Sequence, residues 1–201
     1  MDAAGGAAAV VIESLSRENL TNERMHEMAV LIYDGFGSKR CCLVCGNSLG
    51  ELDSSVKSAY RKFPDAKLDA CGIAVDSGNK ALGLVQLGFH DTPTDFELQY
   101  IPCLSKKPPR EKCHLERIVV GEQARGKGVG KKLLEWADAK ARERGCTSIL
   151  LEVVNGNPAK RLYEKHGYQT KTGCMDRICM CPCIFCLMGN LYADEMLKPL
   201  A

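Results

Sequence analysis

The residues from Arg125 to Gly130 read Arg-Gly-Lys-Gly-Val-Gly, the composition of an anion cradle. Glycines let a backbone approach a bound anion closely. Arg125 and Lys127 add positive charge. An apolar run ending Ile118-Val119-Val120 leads into the turn, and a helical pattern begins at Gly130. The free N–H groups of that helix start would point at the anion, so a phosphate-bearing ligand is the chemistry on offer. A second group has the chemistry to move protons. His114 and Glu116 lie two apart on one strand, so both side chains face one side of a sheet. Tyr163 supplies a phenol further along.

Three kinds of phosphate compete for the turn. A dinucleotide fold requires G-x-G-x-x-G. Here Gly126, Gly128 and Gly130 alternate, and Lys131 stands at the third glycine position, so the match fails. A nucleoside-triphosphate loop requires G-x-x-x-x-G-K-[ST]. Gly121 to Lys127 fits, but Gly128 follows where a hydroxyl should hold magnesium. Shifting the frame to Gly130-Lys131 puts Arg125 at the first glycine and Lys132 at the hydroxyl. The third pattern fits. Arg125-Gly126-Lys127-Gly128-Val129-Gly130 matches R/Q-x-x-G-x-G/A, and downstream stands Asn157-Pro158-Ala159-Lys160-Arg161-Leu162-Tyr163-Glu164-Lys165-His166-Gly167-Tyr168. These two segments resemble the signatures of the GNAT superfamily of acyl-CoA N-acyltransferases. The likeness is close from Leu115 to Tyr168, although Asn157 to Tyr163 is one residue shorter than the commonest form.

The resemblance implies acetyl-CoA as co-substrate, direct acetyl transfer to a primary amine, and no metal requirement for catalysis. It implies that Arg125, Gly126, Lys127, Gly128, Val129, Gly130 and Lys131 hold the pyrophosphate, and that Asn157 and Tyr163 also bind the cofactor. It also implies that Ile118, Val119 and Val120 pair with the pantetheine arm as another strand would. A Val119 or Val120 N–H would then polarise the acetyl carbonyl. Tyr163 would be the general acid for the departing thiolate; its other reading is a core aromatic on an amphipathic helix. His114 or Glu116 would relay the amine proton. The alternative there is a Glu116 paired with a surface cation and a His114 that is merely exposed.

These residues need a scaffold. Strands are expected at Val10–Leu15, Ala70–Val75, Ala81–Phe89, Cys113–Val120, Ser148–Val154, Tyr168–Lys171 and Glu195–Leu200. Helical spacing marks Asn19–Tyr33, ended by Gly35 and Gly37; Glu51–Phe63, stopped before Pro64; and Gly130–Arg144, with Leu133, Leu134, Ala137 and Ala141 on one face and Gly145 as its stop. Asn157 caps a short helix whose first position is Pro158. Asp76 to Asn79 is a hairpin turn, and Asp91 to Arg110 is an exposed excursion. The order β-α-α-β-β-β-α-β-α-β-β predicts a single α/β (α+β) domain over residues 1–201. It would hold a mixed central sheet of about six to seven strands, with helices on both faces.

Composition narrows the function. A formal net charge of +2 on 201 residues argues against a nucleic-acid binder, which would carry a basic face. The opening MDAAGGAAAVV has no cationic start of the kind a signal peptide carries, and no apolar stretch is long enough to span a bilayer. A cytoplasmic location, with membrane association as a variant, is the expectation. Most of the twelve cysteines cluster in two loops, about 36–50 (Cys41, Cys42, Cys45) and 173–191 (Cys174, Cys179, Cys181, Cys183, Cys186). The resemblance places both loops beside the acceptor groove. Three readings are open: reduced thiols in a packed apolar loop, palmitoylation or peripheral membrane contact through 174–191, and zinc held by Cys42-x-x-Cys45 with Cys183-x-x-Cys186. Cys71, Cys103, Cys113 and Cys146 stand alone, and some are expected in the core. The acceptor is a small-molecule, peptide or protein amine. A rival reading makes the chain a weak or inactive acyl-CoA-binding module tethered by its cysteine-rich loop. Oligomeric state is not written in the sequence.

Overall fold

A computed structural model describes residues 9–37, 48–94, 107–154, 156–171, 177–179 and 192–200. Strand β1 (Val11–Ser14) leads to helix α1 (Asn22–Ile32). The helix starts later than its hydrophobic spacing suggests. Asn19 first closes a local turn onto Ser14, and Thr21 then caps the helix by accepting from the Arg24 N–H at 3.1 Å. Helix α2 (Leu49–Lys62) is opened by a reciprocal Ser48–Glu51 capping box. A short helix absent from the sequence reading, α3 (Asp65–Asp69), follows Pro64.

Strands β2 (Cys71–Val75), β3 (Ala81–Gly88) and β4 (Lys112–Val120) form a meander. Helix α4 (Val129–Glu143), β5 (Ser148–Val154), α5 (Lys160–Lys165), β6 (Gln169–Thr170), β7 (Arg177–Cys179) and β8 (Tyr192–Pro199) complete the fold. The sheet runs β1-β2-β3-β4-β5-β8-β6, with β7 also paired to β8. The β4–β5 contact is parallel and every other pairing is antiparallel. This is the expected mixed sheet, with one additional short strand and one additional short helix.

Helices cover both faces. Leu133, Leu134, Ala137 and Ala141 of α4 pack on one face with Tyr163 of α5, Ile149, Leu151 and Val153. Met25, Met28, Ile32, Val56 and Tyr60 of α1 and α2 pack on the other with Ile73, Leu84 and Val119. Cys71, Cys113 and Cys146 are buried free thiols. Burial first, and neighbouring Cys146 next, push the Cys113 thiol well above its usual range, so it stays protonated and inert. The clustered cysteines Cys41, Cys42, Cys45, Cys174, Cys181, Cys183 and Cys186, the solitary Cys103 and the 174–191 segment read as a membrane contact lie outside the described residues, apart from the backbone of β7. Among the described residues no helix is long and apolar enough to cross a membrane, and no group of His, Cys, Asp or Glu is placed to hold a metal.

Candidate active site

The sheet comes apart between β4 and β5. Their ladder holds three register pairs, ending at His114 opposite Leu150. Beyond it β4 stays paired to β3 as far as Val120, and β5 stays paired to β8 as far as Val154. The two strands therefore open as a fork, with Leu115–Val120 on one prong and Leu151–Val154 on the other. The cause lies in β4. Gln86 pairs with Arg117 and Leu87 with Leu115, so Glu116 is an extra residue with no cross-strand mate. Such a bulge bends its strand and increases the local twist, which turns β4 away from β5.

The bulge also fixes which peptide groups face the opening. The Gly121 N–H donates to the Leu82 carbonyl of β3 at 2.9 Å. Peptide directions alternate along a strand, so the Val119 N–H turns toward β3 as well. The Ile118 and Val120 N–H groups turn into the fork. The Val120 carbonyl also points away from β3, and the Arg125 side chain donates to it at 3.1 Å.

The glycine turn stands at the mouth of the fork. Gly126 and Gly128 have φ of 74° and 79°, values that L side chains rarely adopt. A Cβ built at either meets nothing within 4 Å, so the space beside both glycines is open. Gly128 is the N-cap of α4 and provides no side-chain cap, which leaves the first N–H groups of the helix without an intrahelical partner. Arg125, Lys127 and Lys131 are exposed around it. Lys132 is turned elsewhere, onto the Val10 carbonyl at 3.0 Å. The arrangement suits a pyrophosphate followed by an extended arm in the fork. Gly130 has a different role. A Cβ there would stand 3.0 Å from Leu162 and 3.7 Å from Val120, so this glycine lets α5 sit close to α4 and β4.

Tyr163, next to Leu162 on α5, is buried in the cluster that holds Val129 and Val153, with Ile118 and Val120 packed against it. Burial pushes its hydroxyl up to about 12, so the phenol is protonated at neutral pH. Its ring meets Tyr168 edge-on at 5.9 Å. Asn157 is a turn residue: its side-chain oxygen accepts from the Ala159 N–H at 3.0 Å and shapes the entry to α5.

His114 and Glu116 do share a face, because His114 is the register partner of Gly88 and the Glu116 carboxylate lies where a Gly88 Cβ would be. Neither has the surroundings of the alternative, a surface-paired Glu116 and an exposed His114. Glu116 meets a buried cation, Lys67 of α3, at 2.5 Å, and accepts from Gln86 at 2.9 Å. Gln86 in turn accepts from the Tyr60 hydroxyl at 2.7 Å. His114 is 4% exposed and its Nε2 lies 2.6 Å from Oε2 of Glu152 on β5. Burial disfavours the imidazolium. The Glu152 hydrogen bond and the charges of Glu152 and Glu116 outweigh it, so the His114 pKa is raised.

The sequence profile of the acetyltransferase (GNAT) family matches residues 47–168, more than half of the chain. The chain belongs to the GNAT family. The matched span holds the fork, the glycine turn and Tyr163. Within this family, an acetyltransferase of Agrobacterium fabrum is 38% identical over 60 residues, 30% of this chain and 42% of its own length. Streptothricin acetyltransferase of Streptomyces lavendulae is 36% identical over 75 residues, 37% of this chain and 40% of its own. The chain thus spans less than half the length of these curated relatives. The NatC complex bound to Gag peptide and CoA contains a chain of the same fold, with a TM-score of 0.61 and 22% identity over 96% of this chain and 99% of that one. The GNAT family uses acetyl-CoA, and the cradle, the fork and the buried phenol fit that donor.

Sequence reasoning missed Lys67, Gln86, Tyr60 and Glu152. Gln86 and Glu152 had a signal: each is a polar residue inside an otherwise apolar strand, ALGLVQLG and SILLEVV. Lys67 had none, because the helix that carries it was not expected.

Proposed function

We propose that this protein is an acetyl-CoA-dependent N-acetyltransferase that passes the acetyl group directly to a primary amine. The observation that carries this is the fork with an uncapped, glycine-lined helix start at its mouth. The N–H groups of Val129, Gly130 and Lys131 would bind the pyrophosphate, with Arg125, Lys127 and Lys131 adding charge. The edge of β4 that faces the fork would take the pantetheine arm. The Val119 N–H is turned to β3, so of the N–H groups that face the fork that of Ile118, nearer its base, would polarise the acetyl carbonyl. Tyr163 would give its proton to the sulfur as the C–S bond breaks, and His114 would take the proton that leaves the amine as the N–C bond forms. Glu116, held by Lys67 and Gln86, is a structural anion in this scheme and not a base. No metal enters it. The acceptor class spans small amines and peptide or protein amines. The peptide-bound NatC complex and streptothricin acetyltransferase lend their names to both kinds.

The scheme is tested by thiol release from acetyl-CoA in the presence of primary amines and short peptides. Tyr163→Phe is expected to lower kcat about 100-fold, with the KM for acetyl-CoA changed less than about threefold. An unchanged kcat makes Tyr163 a core aromatic and removes it from the mechanism.

A further inference from the structure

The face of the sheet below α1 and α2 carries three carboxylates in a row. Glu116 is on β4 and Glu152 on β5. Glu195 on β8 is the register partner of Glu152, so those two acids stand side by side on one face. Like charges so placed repel unless each is matched by a cation. Each one is. Glu116 has Lys67, Glu195 has Lys171, and Glu152 has His114. Two of the partners are lysines, and the third is a histidine, a side chain that can lose its charge near neutral pH. Among the described residues His114 is the single hydrogen-bond partner of the Glu152 side chain. The bond also has a particular place. His114 is the last β4 residue paired to β5, and Glu152 lies two residues past the last paired residue of β5. The bond bridges the base of the fork, where the acyl end of an arm laid along the fork from its mouth would arrive.

We propose that Glu152 is a positioning residue for acetyl transfer: it reaches across the base of the fork and fixes the His114 ring with Nε2–H turned to the carboxylate, leaving Nδ1 as the atom that takes the amine proton. This rests on the acetyl-transfer reading above. The proton balance closes within the pair. Nδ1 gains the proton that the amine loses, and the imidazolium that results stands against an existing carboxylate. Glu116 cannot take the same part, because Lys67 and Gln86 already hold its carboxylate. Burial alone would make His114 a weak base. The Glu152 carboxylate, helped by Glu116 and opposed by Lys67, makes it a stronger one.

Two readouts test this, and the first needs no acceptor. Nitrogen-detected NMR titration of the four histidines resolves the midpoint and the tautomer of His114 in the free protein. The wild type is expected to titrate above 6.5 and to be Nε2–H when neutral. Glu152→Gln keeps the shape and removes the charge, and it is expected to lower the midpoint by about 1 pH unit or more. Glu152→Asp keeps the charge and restores part of the shift. The second readout is the pH profile of kcat/KM for any amine in the panel that is acetylated. Its acid limb lies above pH 6.5 in the wild type, because His114 must be deprotonated to act. The limb moves to lower pH in Glu152→Gln by the same amount as the NMR midpoint, and it is absent in His114→Gln. A His114 midpoint and an acid limb that both ignore Glu152→Gln overturn the proposal. So does a limb that survives His114→Gln and vanishes in Glu152→Gln, since Glu152 would then be the base itself. A protein that acetylates no amine overturns the acetyl-transfer reading, and this proposal with it. A protein that acetylates with an unmoved limb overturns this proposal alone.

Discussion

Gly128→Val is expected to weaken acetyl-CoA binding at least about 100-fold, about 2.7 kcal/mol, while the protein stays folded. Two effects combine. Gly128 has a φ of 79°, where a β-branched residue is strained. The helix start would relax toward negative φ, and the N–H groups of Val129 and Gly130 would swing off the phosphate. The new side chain would also project into the open side of the turn, since nothing stands within 4 Å of a Cβ built there. That empty surrounding is why the fold should survive, as the substitution meets no packed neighbour. Calorimetric titration with acetyl-CoA, alongside a thermal melt, reads both. Gly130→Val makes the contrast. Its Cβ would press on Leu162, so it should lower the melting temperature as well as affinity. If Gly128→Val binds acetyl-CoA as the wild type does, the pyrophosphate does not sit on this turn.

Lys67→Met is expected to cost about 3–5 kcal/mol of stability at neutral pH, read from the urea unfolding midpoint. Lys67 is fully buried, and its ammonium donates to both Glu116 and the Leu87 carbonyl, the latter at 3.0 Å. Removing it takes the buried ammonium from beside a carboxylate whose side chain is 3% exposed. A loss of that size is a large part of the stability of an ordinary domain. The double variant Lys67→Met with Glu116→Gln should regain most of it, because the buried charge is gone and Gln86 can still bond a neutral amide. The strand bulge at Glu116 opens the fork, so the buried pair also underpins the site. A single-variant cost below about 1 kcal/mol would mean that Glu116 is not a buried anion held by Lys67, and would return it to the list of candidate bases.

The glycine turn and Tyr163 were legible in the sequence because each depends on local chemistry. Positive-φ glycines, a helix start and an L-Y-E-K segment are written in consecutive residues. The jobs of the three glycines were not separable that way. Gly126 and Gly128 serve the turn, and Gly130 serves the packing of α5, a distinction that needs Leu162 and Val120 in place. The order of elements along the chain followed from hydrophobic spacing, but α3 did not, since five residues after Pro64 carry too little periodicity to announce a helix. The pairing of His114 was hidden for a related reason. Its partner Glu152 is 38 residues away on another strand. Sequence placed Glu116 beside it, two residues away, and there the nearer acid is already claimed by Lys67.

The most direct test of acetyl transfer to an amine is a stoichiometry. The protein is incubated with acetyl-CoA and a panel of primary amines and short peptides. Free thiol is counted while mass spectrometry follows both the acceptor and the protein. Direct transfer from a thioester in the fork predicts one N-acetylated amine for each free thiol, and no acetyl group left on the protein when the amine is omitted. Tight binding of acetyl-CoA with no amine acetylated, and the same background thiol release from Tyr163→Phe as from wild type, would contradict it.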